Sequence, residues 1–268
     1  MPKIEANGIA LYYELHGPEN GEVIVLSNGI MMSTAAWTYQ TRVLSKHMRV
    51  LLYDCRGMWQ SEHPEGPYSM EQHADDLAAL LKALKIPSAH IAGISYGSEV
   101  SMAFALQYPR MTKSLIVIDG ASEIDPILRA HSLPWLIAAE RKDPELMLRT
   151  SVGLNYSNAY IGANQATIDA SVPRFALLDF KAFENLMHAF NNLNLTGKLS
   201  QIQMPTLIIV GEDDVIKGRK YSKIIADQIK HAEYVIVPAS GHALCLDKPE
   251  TLNTLLIGWV LKHSAQTL

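Results

Sequence analysis

The stretch that most limits what this chain can fold into is Gly93-Ile94-Ser95-Tyr96-Gly97. Residues 89–94 form a short apolar segment that reads as a buried strand, and residues 98–108, rich in Ala, Met, Leu and Phe, read as a helix packed on both sides. A G-x-S-x-G between a strand and a helix predicts a nucleophile elbow. The reason is steric. The chain must reverse sharply, the serine is held in a strained backbone conformation, and the flanking glycines are required because a Cβ would clash. The turn lifts the hydroxyl above the sheet edge, and the helix behind it aims free N–H groups and partial positive charge at the same point.

The rest of the chain supplies a frame for such an elbow. Residues 4–16 read as two short strands around Asn7-Gly8, a favoured hairpin pair. All-apolar or nearly apolar strands are expected at 23–26, 50–53, 114–118, 205–210 and 234–237. Helices are expected at 34–45, with Ser33 or Thr34 as N-cap, at 221–229, and at 249–262, where Leu252, Leu255, Leu256, Trp259 and Val260 share a face. A further helix starts at the capping box Ser69-Met70-Glu71-Gln72 and lines up Leu77, Leu80, Leu81 and Leu84. Strands that alternate with helices predict an α/β fold: a mostly parallel sheet flanked by helices, with the opening hairpin antiparallel at one edge.

Residues 121–200 break the alternation. They hold Asp125-Pro126, Leu133-Pro134, Asp143-Pro144 and Val172-Pro173 with short helical stretches between, and no convincing strand. The expected organisation is therefore a core of residues 1–120 and 201–268 with a helical cap, 121–200, inserted above the sheet. Its aromatic and thioether side chains, Trp135, Tyr156, Tyr160, Phe183 and Met187, together with Met31, are the candidates for the wall of an apolar substrate pocket.

Composition excludes several classes. The 268 residues carry a net charge of -4 without a basic patch or a run of like charge, which argues against nucleic acid. The two cysteines, Cys55 and Cys245, have no metal-ligand spacing and suit a reducing compartment. No apolar run approaches the roughly 20 residues that cross a bilayer, and residues 1–8 show no secretory signal. The expected location is cytoplasmic. No metal is implied, and the G-x-G-x-x-G of a dinucleotide site is missing around Ser95, so no cofactor is expected.

A serine hydroxyl needs a base, and the base needs an orienter. Among ten histidines, His242 stands out: it follows a strand, lies in a Ser-Gly-His turn and precedes the last helix. Asp214, after the 205–210 strand, completes the chain order Ser, Asp, His with each residue at a strand's C-terminal end. Asp119 and Asp213 are the alternative acids. The oxyanion hole requires two backbone N–H groups. Tyr96, next after Ser95, and Ile30, in the loop opened by Gly29, are the candidates.

These residues together resemble the α/β-hydrolase-fold serine hydrolases with a helical cap, over essentially the whole chain. The matching motifs are Asn28-Gly29, where most members have His-Gly; the 93–97 elbow; and Gly211-Glu212-Asp213-Asp214 with Gly241-His242. Asp54-Cys55-Arg56-Gly57 resembles the family's Asp-x-Arg-Gly loop, but Met58-Trp59-Gln60-Ser61 replaces the usual Gly-x-Ser after it. Asn28 implies an oxyanion loop without histidine support. Ser27-Asn28 with Gly66-Pro67-Tyr68-Ser69 is similar to 3-oxoadipate enol-lactonases; residues 28–35 with 150–153 are similar to synthases and transacylases of 3-hydroxyacyl chains. The resemblance implies hydrolysis of a small-molecule carboxylic ester or thioester through a Ser-His-Asp triad. The alternatives are a lactonase, an acyltransferase using acyl carrier protein or a CoA thioester, and, most remotely, a ligand-binding receptor without turnover.

Overall fold

The structure is a computed structural model and describes residues 2–264. Its eight strands are β1 (Lys3–Ala6), β2 (Ile9–His16), β3 (Val23–Ser27), β4 (Arg49–Tyr53), β5 (Ala89–Ile94), β6 (Thr112–Ile118), β7 (Thr206–Gly211) and β8 (Glu233–Val237). They form one sheet in the order β1-β2-β4-β3-β5-β6-β7-β8. From β4 to β8 every pairing is parallel, and β1 and β2 add an antiparallel edge. The Asn7-Gly8 turn joins that edge with both residues in the left-handed region, at φ 52 and 77. This is the α/β-hydrolase architecture that the motifs imply.

The strands are apolar on both faces because both faces are covered. Ile24, Leu26, Ile116, Ile118, Leu207 and Ile209 point to one side, packing with α1 (Thr38–Leu44) and with α11 (Pro249–His263) through Leu252, Leu256 and Trp259. Val25, Leu115, Val117 and Ile208, one residue out of phase, point to the other. There they meet α2 (Met70–Ala83), α3 (Tyr96–Gln107) and α9 (Arg219–Gln228).

The expected helix at 34–45 is a 3-10 turn, Thr34–Trp37, followed by α1. Its start is set from outside: the Ser33 side chain makes no cap bond, and the Thr34 amide donates instead to Asp54 Oδ1 at 3.0 Å. Ser69 does cap α2, accepting from the Gln72 amide at 3.1 Å. A four-residue helix, α10 (Leu244–Asp247), precedes α11 and was too short to give a periodic signal.

Between β6 and β7 lie α4 (Pro126–Glu140), α5 (Pro144–Asn155), α6 (Asn158–Asp169), α7 (Val172–Phe175) and α8 (Phe180–Asn191). Both Asp-Pro pairs are helix starts, with Asp125 and Asp143 as N-caps and proline at the first helical position. Pro134, read as a break, lies inside α4. Buried Leu128, Trp135 and Ala138 hold that helix on both sides of the proline and outweigh its missing hydrogen bond. The segment leaves and rejoins the sheet at one neck, where Glu123 pairs with Asn194 and the Leu195 amide donates to Ser122 O at 2.7 Å. Its apolar face is continuous with the core above α2 and α3, through Leu128, Met147, Phe183, Met187 and Phe190.

The elbow sits where β5 turns into α3. Ser95 has φ 54 and ψ -120, a strained conformation for a side-chain-bearing residue. α3 begins at Tyr96, two residues earlier than expected, because no linker separates it from the turn. A Cβ on Gly93 would lie 2.0 Å from Gly97 O, and one on Gly97 would lie 2.1 Å from Ser27 O. Both neighbours are backbone and cannot swing aside. Gly97→Ala is therefore expected to cost at least about 3 kcal/mol, at the upper end of overpacking effects; urea unfolding measures it, and a loss below about 1 kcal/mol would contradict the steric account.

Candidate active site

Three side chains from three loops meet at the C-terminal edge of the sheet. His242 Nε2 lies 2.7 Å from Ser95 Oγ, and His242 Nδ1 lies 2.9 Å from Asp214 Oδ2. Ser95 is 9% exposed, so the hydroxyl is sheltered but reachable. The other Asp214 oxygen accepts from the Ile216 and Lys217 amides at 2.8 and 2.9 Å. Burial works to raise the Asp214 carboxyl, but His242 and these two amides outweigh it and hold it below the ordinary carboxylate range.

The other two acids are placed differently. Asp213 is exposed, and its amide donates to Ser240 O at 2.9 Å. Asp119 is fully buried behind Asp214 and accepts from the Gly211 amide at 2.8 Å. Burial, then the charge of Asp214, push its carboxyl well above the usual range. The His242 loop is pinned from above and behind. Asp247 Oδ2 accepts from the Gly241 amide at 2.6 Å and from the Ser157 amide at 3.0 Å, and the Ala243 amide donates to Asn155 O at 2.7 Å.

Tyr96 and Ile30 bracket Ser95. Tyr96 is the first residue of α3, where helical geometry leaves the amide without a partner four residues back. Its phenol bonds to His73 Nε2 in the core at 2.7 Å. Burial pushes His73 down to about 3, leaving it neutral. Ile30 follows Gly29, whose added Cβ would lie 3.4 Å from Ser95 Cβ. The loop thus passes directly over the serine.

Two cavities meet at Ser95, and Ile30 and Trp135 line both. The narrower, with about 340 Å³ of space, is walled by Leu128, Met187, Phe190 and Lys217. The wider, with about 770 Å³, is walled by Met31, Tyr156, Arg174 and His242. Of the expected pocket residues, Met31, Trp135, Tyr156 and Met187 line these spaces. Tyr160 stacks on Tyr156 with ring centroids 4.8 Å apart and lines neither. Phe183 is packed beneath, facing a separate small cavity with Trp59 and Leu178.

Sequence reading passed over four residues here: His131, Lys217, Glu99 and Arg174. His131 and Lys217 line the narrower cavity. Glu99 pairs with Lys217 Nζ at 2.8 Å. Arg174 stacks over Trp59 at 4.5 Å and donates to Met31 O at 3.3 Å. The one available signal was Glu99, a carboxylate inside an otherwise buried apolar helix, which must have a partner. Among the described residues, no cluster of His, Cys, Asp and Glu could hold a metal, and no helix is long and apolar enough to cross a membrane.

Asn28, expected to leave the oxyanion loop without histidine support, supports it by other means. Its Nδ2 donates to Tyr53 O at 3.1 Å and Asp54 Oδ1 at 3.0 Å, while its Oδ1 accepts from Trp37 Nε1 at 2.9 Å. Asp54 also accepts from the Gln60 amide at 3.2 Å. Burial raises the Asp54 carboxyl to about 6 despite the opposing amides of Gln60 and Thr34 and the Asn28 side chain. The folded protein therefore keeps a proton that the unfolded chain has released. The stability from this group is complete below the ordinary value of 3.8 and is lost as pH rises to about 6. Asp54→Asn, which does not titrate, is expected to flatten the stability curve across that window. Urea unfolding at its two ends checks this, and an unchanged pH dependence would count against it.

Comparison with known proteins places the chain. A family model described as the alpha/beta hydrolase fold matches residues 22–149. The protein named "Putative carbamate hydrolase RutD" in Caulobacter segnis is 31% identical over 257 residues, which is 91% of this chain and 94% of that one. Its namesake in Pantoea ananatis is 29% identical over 262 residues, covering 95% and 94%. The crystal structure of the enol-lactonase from Burkholderia xenovorans LB400 superposes with a TM-score of 0.90 at 25% identity, over 97% of this chain and all of that one. With eight strands in this order, a strained serine between β5 and α3, and relatives matched end to end, the chain belongs to the α/β-hydrolase fold family.

Proposed function

We propose that this hydrolase cleaves a small carboxylic ester, thioester or lactone by nucleophilic catalysis at Ser95. The observation that carries the reading is His242, bridging Ser95 Oγ at 2.7 Å and Asp214 at 2.9 Å. His242 takes the Ser95 proton as Oγ attacks the carbonyl carbon. The carbonyl oxygen becomes an oxyanion and is received by the Ile30 and Tyr96 amides. The C–O or C–S bond then breaks, His242 gives its proton to the leaving group, and the acyl group remains on Ser95. Water, deprotonated by His242, releases the acid. Residues 121–200 act as a cap whose Trp135, Tyr156 and Met187 wall the cavities beside Ser95.

A second reading, hydrolysis of a carbamate, is favoured by the name that the relatives carry. Arg174 on the wall of the wider cavity would suit an anionic substrate of that kind. The two readings separate on products: a panel of p-nitrophenyl esters, lactones and carbamates, followed by acid and ammonia release, ranks them directly.

Ser95→Ala is expected to retain the fold and lose turnover by at least about a thousandfold. Hydrolysis surviving in that variant would sink the reading. Asp214→Asn is expected to lower kcat by about 10⁴, the cost of misorienting the histidine. Asp119→Asn, at a carboxyl that bonds the Gly211 amide and not His242, is expected to change kcat by less than about tenfold. Steady-state kinetics on the preferred ester measures both, and a larger loss for Asp119→Asn would make that residue the orienting acid.

A further inference from the structure

Glu99 lies in the first turn of α3 and is 0% exposed. Lys217, itself 3% exposed, neutralises it, with Nζ donating to Oε1 at 2.8 Å and Oε2 at 2.9 Å. Glu99 Oε1 also accepts from the Ala121 amide at 3.0 Å. The lysine belongs to the turn that carries Asp214 and donates its own amide to that carboxylate. One short turn therefore fixes the orienting acid and the ammonium together.

This pair does more than cancel charge. An ammonium has three donors. Two are spent on Glu99, and the third reaches Ser95 Oγ at 3.3 Å. The Phe190 ring covers the ammonium at 4.6 Å. The cation is held against rotation and aimed at the oxygen that His242 also contacts.

The effect of such a donor differs between the two halves of the reaction. In acylation Oγ is the nucleophile. A cationic donor stabilises its ionised form but lowers its reactivity, so the two effects oppose. In deacylation Oγ is the leaving group. Negative charge grows on it as the C–Oγ bond breaks, and a donor already in place stabilises that charge without reorganising.

We propose that Lys217, clamped by Glu99, is a catalytic donor to the Ser95 oxygen that speeds its departure from the acyl-enzyme and so favours release of the acyl group to water. The proposal rests on the Ser95 reading above. In the step concerned, a water oxygen bonds to the carbonyl carbon while His242 Nε2 takes its proton. As the intermediate collapses, the C–Oγ bond breaks and its electron pair goes to Oγ. The His242 proton is returned to Oγ, giving free acid and the serine hydroxyl. Lys217 holds its hydrogen bond throughout and transfers no proton.

The test is the double variant Lys217→Met with Glu99→Gln, which removes both charges so that neither is left buried alone. Acetylation and deacetylation of Ser95 by p-nitrophenyl acetate are followed by rapid acid quench and intact-mass spectrometry. Deacylation is expected to slow by about ten- to a hundredfold, the worth of one charged hydrogen bond, while acylation changes by less than about threefold. Acetyl-enzyme then accumulates beyond the wild-type level. Equal slowing of both steps, or unchanged deacylation, would overturn the proposal. Should the double variant fail to unfold cooperatively, Glu99→Gln alone loosens the clamp and is expected to move the ratio of the two steps in the same direction; an unmoved ratio overturns the proposal there too. Hydrolysis persisting in Ser95→Ala would instead defeat the nucleophile reading itself.

Discussion

The approach of α3 to the end of β3 is the contact on which the rest of this molecule depends. Gly97 brings the helix backbone against Ser27 O, closer than any side chain would allow. That approach sets the Ser95 hydroxyl at the sheet edge. It also sets the distance to the loop beginning at Asn28, because Ser27 and Asn28 are the residues that Gly97 touches. The serine and the amides that bracket it are thus placed by one crossing rather than by separate interactions. The strain at Ser95, φ 54, is held there by β5, whose pairing continues through the Ser95 amide to Ile118 O at 2.9 Å.

Charge in the interior is gathered around that crossing. Asp54, Asp119 and Asp214 all follow the C-terminal ends of strands, and Glu99 sits one turn into the elbow helix. Each is treated differently. Asp54 is held by the Asn28 side chain and the Thr34 and Gln60 amides, Glu99 by Lys217, and Asp214 by His242 and two amides. Burial and the charge of Asp214 push the Asp119 carboxyl up, while His242 and two amides hold the adjacent Asp214 down, so the two carboxyls of that pair are driven apart. The sheet faces below are largely apolar, with His90 and Ser114 bonded to each other as buried polar residues within them.

Much of this was legible in the sequence, for physical reasons that are local. The elbow announces itself because glycine spacing around a strained serine admits few alternatives. The buried parallel strands announce themselves as continuous apolar runs, and the edge hairpin by Asn7-Gly8. The positions of Asp214 and His242 followed from topology, since each stands just past the end of a strand. What could not be read were pairings between distant loops. Lys217 and Glu99 are 118 residues apart, and nothing in either neighbourhood names the other. Asn28 looked like a loss of support because its donors and acceptor act through Asp54 and Trp37, which belong to other segments. The aromatic residues of the inserted helices were recognised as a group, but which of them face open space is decided by packing. Tyr160 and Phe183 show the limit of composition as a guide.

The single neck at Glu123 and Asn194 gives the inserted helices the look of an exchangeable module, one that could be replaced to change substrate while the catalytic edge stays intact. The seat of His242 argues otherwise. Asn155 and Ser157, at the junction of α5 and α6, are tied to the 241–247 loop through Ala243 and Asp247, and a Cβ on Gly241 would lie 2.6 Å from the Ser157 amide. The helices that shape the cavity therefore also hold the histidine in register. A graft of foreign helices at the neck would have to bring its own 155–157 junction or lose the alignment of the His242 ring. Side-chain replacement within the existing helices, by contrast, leaves the seat of His242 in place.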